Sequence, residues 1–558
     1  MTSDNGNAPA PITEQDVKEL REALAAQQQQ IAAQQQQMKQ QQEMLERLNK
    51  ALEAQKSSQA AQQQPARQAP NLGQVASTTP IIPAGSAGST PAVPKLNTAN
   101  SDSGQSPAAA ESPLSIHYKG ISITPGGFLA AETVWRQRGV GGDINTPFTS
   151  IPLPYQPGSH LSEFFGSGRQ SRISVLAQGT VGSAKLTGYY ETDWLSAGIT
   201  SNNNQSNSYT NRQRQIWGQA TLYDGVSFTG GQMWSLVTET KKGVDNRTEA
   251  LPMTIDAQYA VGFSWARQYG FRVAKNFNNK FWLAASVENP QTTFAAHGNA
   301  NNFLIGTPGT GGGLYNPTAN YSFNRTPDFI FKAVAEPGFG HYEVFGVLSD
   351  FRDRIYPDAG LSTPSSAGAF NSSKAGGGGG ANIRFTVKKH MDLGVHFLGG
   401  NGVGRYGTSS LPDATVKPDG TLELLRSYQG LGTLEFHTAK WDVYFNGGME
   451  YVGRSAFLNS KGKPVGYGSP LFSNKGCFAE PLPGGAFVPG SLSSCTADNK
   501  NVFEGIAGFW YRFYNGPYGK LQWGPQYSYI TRTTWGGTGG QPYAVDNMAL
   551  TSFRYYLP

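Results

Sequence analysis

Apolar residues recur along this chain with two different periods. Near the N-terminus Val17, Leu24, Ile31, Met38, Leu45 and Leu52 stand seven residues apart. Leu20, Gln27, Gln34, Gln41, Leu48 and Gln55 follow them by three, so one row is apolar and the other mostly amide. That is the seam of a coiled coil, and it predicts a helix over 13–56, about 65 Å long at 1.5 Å per residue. Thr13 fits the N-cap with Asp16 three residues on, and Ile12 and Val17 stand where a hydrophobic staple would close. Residues 1–12 precede the pattern and read as a disordered start. A solitary helix would leave its apolar row in water, so the seam predicts an oligomer. The core glutamines weaken it and set its register. The heptads alone leave two or three strands open, and a disordered Gln-rich tract is the alternative to any helix. Residues 57–113 carry no aromatic residue and are broken by Pro65, Pro70, Pro80, Pro83, Pro91, Pro94, Pro107 and Pro113, the composition of a linker.

From Leu114 onward the period is two. Ser183, Lys185, Thr187, Tyr189, Glu191 and Asp193 alternate with Ala184, Leu186, Gly188, Tyr190, Thr192 and Trp194. Other segments repeat the alternation: Gln213, Gln215, Gln219 and Thr221 against Ile216, Gly218, Ala220 and Leu222, and Asp442, Tyr444, Asn446 and Glu450 against Val443, Phe445 and Met449. Short breaks near 179–183, 223–225, 276–280, 336–340, 389–391, 438–440 and 515–518 predict seven hairpins. An opening strand at 115–136 and a closing one at 544–557 bring the count to sixteen. Eight longer polar segments separate them, at 137–168, 195–211, 236–256, 291–327, 352–379, 405–422, 454–500 and 534–543. The fold class expected for 114–558 is an all-β transmembrane barrel of about sixteen antiparallel strands, preceded by the α-helical stalk. Edges facing lipid would strand backbone N–H and C=O groups, so such a sheet must close. A soluble sandwich or propeller is the alternative, and tryptophan and tyrosine at strand ends suit a bilayer interface better.

Composition narrows this further. The chain has 558 residues, 38% hydrophobic and 15% charged, with 69 glycines. No run approaches the roughly 18 apolar residues of a membrane helix. The formal net charge is +6, yet the basic residues are scattered singly, which argues against nucleic acid as a partner. Cys477 and Cys495 flank a Gly-, Pro- and Ser-rich stretch. Either they form one disulfide, worth roughly 3 kcal/mol by loop closure and implying an oxidising compartment, or they are two free thiols. No apolar signal segment follows Met1, so for an exported protein the chain is expected to be a mature form.

The inward phase supplies pore-lining candidates of both signs: Arg172, Lys185, Glu191, Asp193, Arg272, Arg384, Lys388, Arg512, Lys520, Arg532 and Arg554. Lys332, Glu132, Glu288, Glu435, Asp442, Glu450 and Glu504 share that phase. For any one of them, solvated filler of the lumen is the competing role. Lys241, Lys242, Asp245, Arg247 and Glu249 lie in the third long segment, which either folds into the lumen as a constriction or stays outside as a surface loop. Arg267 and Arg426 fall on the outward phase. The seven histidines, His341, His396 and His437 among them, form no H-E-x-x-H motif and no metal-ligand pair. The glycine run 376–380 sits in a polar segment without the Lys-Ser/Thr of a phosphate loop, and no nucleophile elbow occurs. No enzyme activity, cofactor or metal is expected.

The opening LSIHYKGISITPGGFLAAETVWR (114–136), the closing NMALTSFRYYLP (547–558) and the heptad stalk together resemble the DcaP-like trimeric outer-membrane porins. The phosphate-selective porins are similar in having sixteen strands and a basic lumen. The resemblance implies a homotrimer in the outer membrane of a Gram-negative bacterium, with its stalk in the periplasm. It implies passive diffusion of small hydrophilic solutes, anionic ones such as dicarboxylates among them. The partners expected are two further copies of the chain, outer-membrane lipid and lipopolysaccharide, with peptidoglycan or periplasmic proteins as candidates for the stalk. A structural anchor joining membrane to cell wall is the alternative reading. Pro558 departs from the terminal aromatic usual in such barrels, leaving Tyr555 and Tyr556 as the nearest aromatic residues.

Overall fold

The period-two segments pair with one another in chain order. The computed structural model describes residues 115–196, 209–306, 322–481 and 495–558. The chain start, the heptad seam with its core residues from Val17 to Leu52, and the linker lie outside them.

Eight strands make one half of the wall: β1 (Ile121–Arg136), β2 (Arg172–Val181), β3 (Ala184–Ser196), β4 (Thr210–Thr221), β5 (Val226–Trp234), β6 (Arg267–Phe277), β7 (Phe281–Glu288) and β8 (Asp328–Ala335). Eight more complete it: β9 (His341–Ile355), β10 (Phe370–Val387), β11 (Met391–Asn401), β12 (Arg426–His437), β13 (Trp441–Val452), β14 (Asn499–Gly516), β15 (Gly519–Thr534) and β16 (Tyr543–Tyr556). Each pairs antiparallel with the next, and β16 returns to β1 with Phe128 opposite Tyr556 and Arg136 opposite Met548. The sheet is therefore a closed sixteen-stranded barrel with no free edge. The short segment Glu163–Ser167 continues the place of β2 beside β1.

One rim carries the seven short turns and the other the long loops. Two turns show why they are short. Asn278 and Asn279 have φ of 56° and 55°, and Lys388 and Lys389 have 50° and 61°. These left-handed pairs form the primed turns whose twist matches that of the flanking strands. Lys388, expected on the inward wall, is therefore an exposed turn residue, because its strand ends one residue earlier at Val387.

Outward positions are apolar and exposed, as with Phe271, Val344, Leu348, Val395, Phe445 and Phe553. Near the short turns the outward aromatics touch in series. Trp441 meets Tyr511 at 4.6 Å and Phe509 at 5.3 Å between ring centres, and Tyr511 meets Phe513 at 5.0 Å. Such a belt suits the headgroup region of a bilayer. Tyr555 faces outward and donates its hydroxyl to the carbonyl of Tyr518, whereas Tyr556 turns inward against Phe128.

Two strand readings change. The glycine run 376–380 is not loop but the middle of β10, with Gly377–Gly380 paired on both sides. In β4, Glu191 pairs with Gln215 but Thr192 pairs with Gln213, so Arg214 is an extra residue. This bulge reverses the alternation: Gln213 turns outward, while Arg212 and Arg214 turn in. Cys477 and Cys495 are joined as a disulfide in the seventh long loop.

The interior is not uniformly polar. Ile144, Phe148 and Ile151 of the first loop and Met253, Tyr259 and Phe263 of the third pack on Leu431, Tyr444, Trp510 and Ile530 of the wall. This apolar core lies inside the barrel, so two loops are part of the folded wall.

Candidate functional site

The third long loop, residues 235–266, crosses the interior. Its backbone amides are held by carboxylates and amides that the strands point inward. Leu236 N–H donates to Glu288 on β7, Thr240 N–H to Glu343 on β9, and Gly262 N–H to Glu450 on β13, each at 2.9 Å. Val261 N–H donates to Glu504 on β14 at 2.9 Å, and Ile255 N–H to Gln526 on β15 at 2.6 Å. One loop thus contacts strands around most of the wall. Its backbone rests directly on the barrel at Gly262, whose φ is +87° and where a Cβ would stand 2.1 Å from the Gly430 carbonyl oxygen.

Within this loop, Thr240 bridges to Glu249 and Ala250 N–H donates to the Glu239 carbonyl, making a small hairpin with its tip near 241–247. Lys242 and Asp245 are exposed at the tip. Gly243 N–H reaches Glu336 in the turn between β8 and β9, so the tip extends to the short-turn end. Arg247 lies over the Tyr189 ring at 5.0 Å. Glu249 is buried, and burial raises its carboxyl to about 7. For Glu239 burial also pushes upward, but Arg384 at 3.1 Å and His396 at 2.7 Å outweigh it and hold the carboxyl below its ordinary range. The loop is therefore clamped by an ion pair on its way in.

The inward candidates on the strands are placed as follows. Glu191 and Asp193 meet Arg214 at 2.6 and 2.7 Å, and Asp193 also meets Arg212 at 2.7 Å. Arg272 donates to Asn246 and to the Trp234 carbonyl, tethering both the start and the middle of the third loop. Arg532 donates to the Ile151 carbonyl at 2.6 Å, holding the first loop. Arg554 pairs with Glu132 at 2.8 Å, and Arg512 pairs with Asp442 while capping the turn at 438–440. Arg172 lies beside Phe128 at 5.2 Å, Lys520 over Tyr556 at 4.0 Å, and Lys185 is exposed near its turn. Most of these charges are bonded across strands or to a loop, which is a different role from free filler.

The bulge residue Arg214 and its neighbour Arg212 escaped the alternation pattern; only a break in strand register distinguishes them. The alternation places Arg267 on the outward phase. It turns instead to the mouth of the lumen, between Trp234 at 4.9 Å and Trp265 at 5.1 Å, because the third loop supplies an aromatic bed for its guanidinium. Arg426 is exposed at the start of β12. Arg212, Arg267 and Arg405 line a cavity of about 340 Å³ together with Gln258 and Trp265, and no carboxylate among the described residues lines it. Tyr259 lies beside this group. Burial raises its hydroxyl, but Arg214, Arg267 and Arg172 outweigh that and bring it down to about 8. Arginines thus cluster on this side, Arg212 and Arg214 paired with Asp193 and Glu191 and Arg405 with Asp328, while Glu450 and Glu504 on β13 and β14 accept from loop amides.

Comparison with known proteins rests on the fold. No protein-family model and no curated protein matches the sequence. The outer membrane channel DcaP of Acinetobacter baumannii superposes with a TM-score of 0.55 at 14% identity, covering 79% of this chain and 99% of that one. An anion-selective porin from Comamonas acidovorans matches at TM-score 0.41 and 9% identity, over 78% of this chain and 100% of its own. OmpF of Salmonella typhi matches at 0.42 and 9%, over 80% and 100%. The chain thus has the fold of an outer-membrane channel.

Proposed function

We propose that this chain is an outer-membrane porin through which small hydrophilic solutes diffuse passively. The observation that carries the reading is a closed barrel, apolar outside and charged inside, into which its own third loop folds. Lipid holds the outer face, water and solute enter from the long-loop side, and the loop narrows the path down to the tip at 241–247. No bond is made or broken. Selection is by size and field, since a narrow low-dielectric passage strengthens each fixed charge.

Anionic solutes are the favoured class. The support is the group of Arg212, Arg267 and Arg405 around a cavity lined by no carboxylate among the described residues, with Arg172 and Arg214 acting on the neighbouring Tyr259. An entering anion exchanges its water for the guanidinium of Arg267, which has no carboxylate within 4.0 Å among the described residues, beside Arg212 and Arg405, which Asp193 and Asp328 already hold. The heptads of 13–56 support an oligomer, and the resemblance to trimeric porins favours three copies with the stalk in the periplasm.

Planar-bilayer recording of the purified protein tests this. Stepwise openings in groups of three are expected, with a reversal potential in a salt gradient of the sign set by anions. Removal of 241–247 should raise the unit conductance. A silent barrel that stays silent without those residues would overturn the porin reading and leave the structural anchor in its place.

A further inference from the structure

We infer that the short-turn end of the barrel holds a divalent transition-metal site built from Asp392, Glu435 and His437. Asp392 opens β11 and the other two close β12. Glu435 and His437 are two apart on one strand and so share a face, and Asp392 stands opposite Glu435 in the neighbouring strand. One ligand atom from each of the three lies within 4.8 Å of the others.

The bonding pattern is that of a metal-binding histidine. Nδ1 of His437 is 2.9 Å from Asp442, whose other oxygen is held by Arg512. A carboxylate on one ring nitrogen fixes the tautomer and aims the other nitrogen's lone pair. That nitrogen, Nε2, stands 3.5 Å from Asp392 Oδ2 and 3.5 Å from Glu435 Oε2. Both separations are long for a hydrogen bond. Both are close to the about 3.3–3.4 Å between two ligands of a zinc-like ion at bond lengths of about 2.0–2.1 Å, and the Asp392 and Glu435 oxygens, within 4.8 Å of each other, draw together on binding.

A second observation asks for a cation. Glu435 is 4% exposed, and its Oε1 is buried with no hydrogen-bond partner, as is Oδ1 of Asp392. Among the described residues His437 is the only ion-pair partner either carboxylate has within 4.0 Å. Of the nearby guanidiniums, Arg512 is bonded to Asp442, and Arg384 is bonded to Glu239 while its charge also acts on Glu435 and Asp392 from beyond 4.0 Å. Lys241 acts on Glu435 only at longer range. A half-buried and a buried carboxylate facing one imidazole, with guanidinium charge only at longer range, gain from a further cation. One nitrogen and two oxygens suit zinc, cobalt or manganese better than calcium, with water completing the shell.

The test uses the full-length protein in detergent, freed of metal with chelator, and needs no conductance. Cobalt(II) chloride is titrated and read by its visible absorption, and zinc chloride by calorimetry. The expected result is one ion per chain, with affinity reduced about tenfold or more in His437→Ala and in Glu435→Gln. Folding of each variant is checked by its heat-dependent gel mobility, and Glu435→Gln decides if His437→Ala does not assemble. Absence of binding at millimolar zinc would overturn the site, leaving His437 as an imidazolium between carboxylates. Binding of equal strength in both variants would also overturn it, placing the ion elsewhere.

Discussion

Arg214 shows how much one side chain does here. It is buried on a bulge, bonded to Glu191 and Asp193, and donates to the Tyr259 hydroxyl at 3.2 Å. Replacing it with methionine leaves Glu191 buried without its guanidinium, while Arg212 still holds Asp193. Breaking a buried pair from one side costs about 3–5 kcal/mol. Arg214→Met should therefore lower the temperature at which the folded barrel loses its fast gel mobility, and Glu191→Gln in the same chain should restore part of it. Glu249 gives a pH dependence. Its folded carboxyl sits near 7, above its unfolded value, so the folded loop binds that proton more tightly. The stabilisation is fully present below about 4.5 and is lost as pH rises through 7. Amide protection in 239–250, corrected for intrinsic exchange, should fall between about pH 5 and pH 8. Glu249→Gln should flatten the profile; an unchanged profile would show that another group is responsible.

At the scale of elements, β10 is the instructive case. Its glycine run offers no side chains to alternate, so a period-two reading passes over it and sees loop. The strand exists because β9 and β11 supply the side chains it lacks. A Cβ on Gly380 would stand 2.2 Å from Cζ of Phe345 and 2.5 Å from the Phe397 carbonyl oxygen. Gly380→Val must push ring and backbone apart, at a cost of about 1–3 kcal/mol or more. Refolding yield into detergent should drop, whereas Gly360→Ala, in an exposed loop turn with open space around it and no positive φ, should leave the yield unchanged. The bulge in β4 is the same lesson in reverse. The alternation was legible there, but a single inserted residue exchanged its faces and hid two arginines.

For the whole molecule, closure of β16 on β1 makes the barrel self-sufficient: every strand has two neighbours without any residue before 115. Removal of 1–113 should leave the unit conductance intact. If the heptads hold three copies together, the same truncation should lower the temperature at which the oligomer separates on a gel. An unchanged oligomer would assign assembly to the barrel wall.

Sequence by itself determined the strand number, the alternation of short and long connections and the apolar outer face. These follow from a local rule, since a strand between lipid and water must sort its side chains every second residue. Only the tertiary structure decided where the third loop goes, which charges pair across the interior, and that Glu435, His437 and Asp392 converge. Those facts depend on contacts between residues far apart in the chain, such as Arg384 with Glu239 or Arg532 with Ile151. No spacing along one strand records what its neighbour brings to the same height.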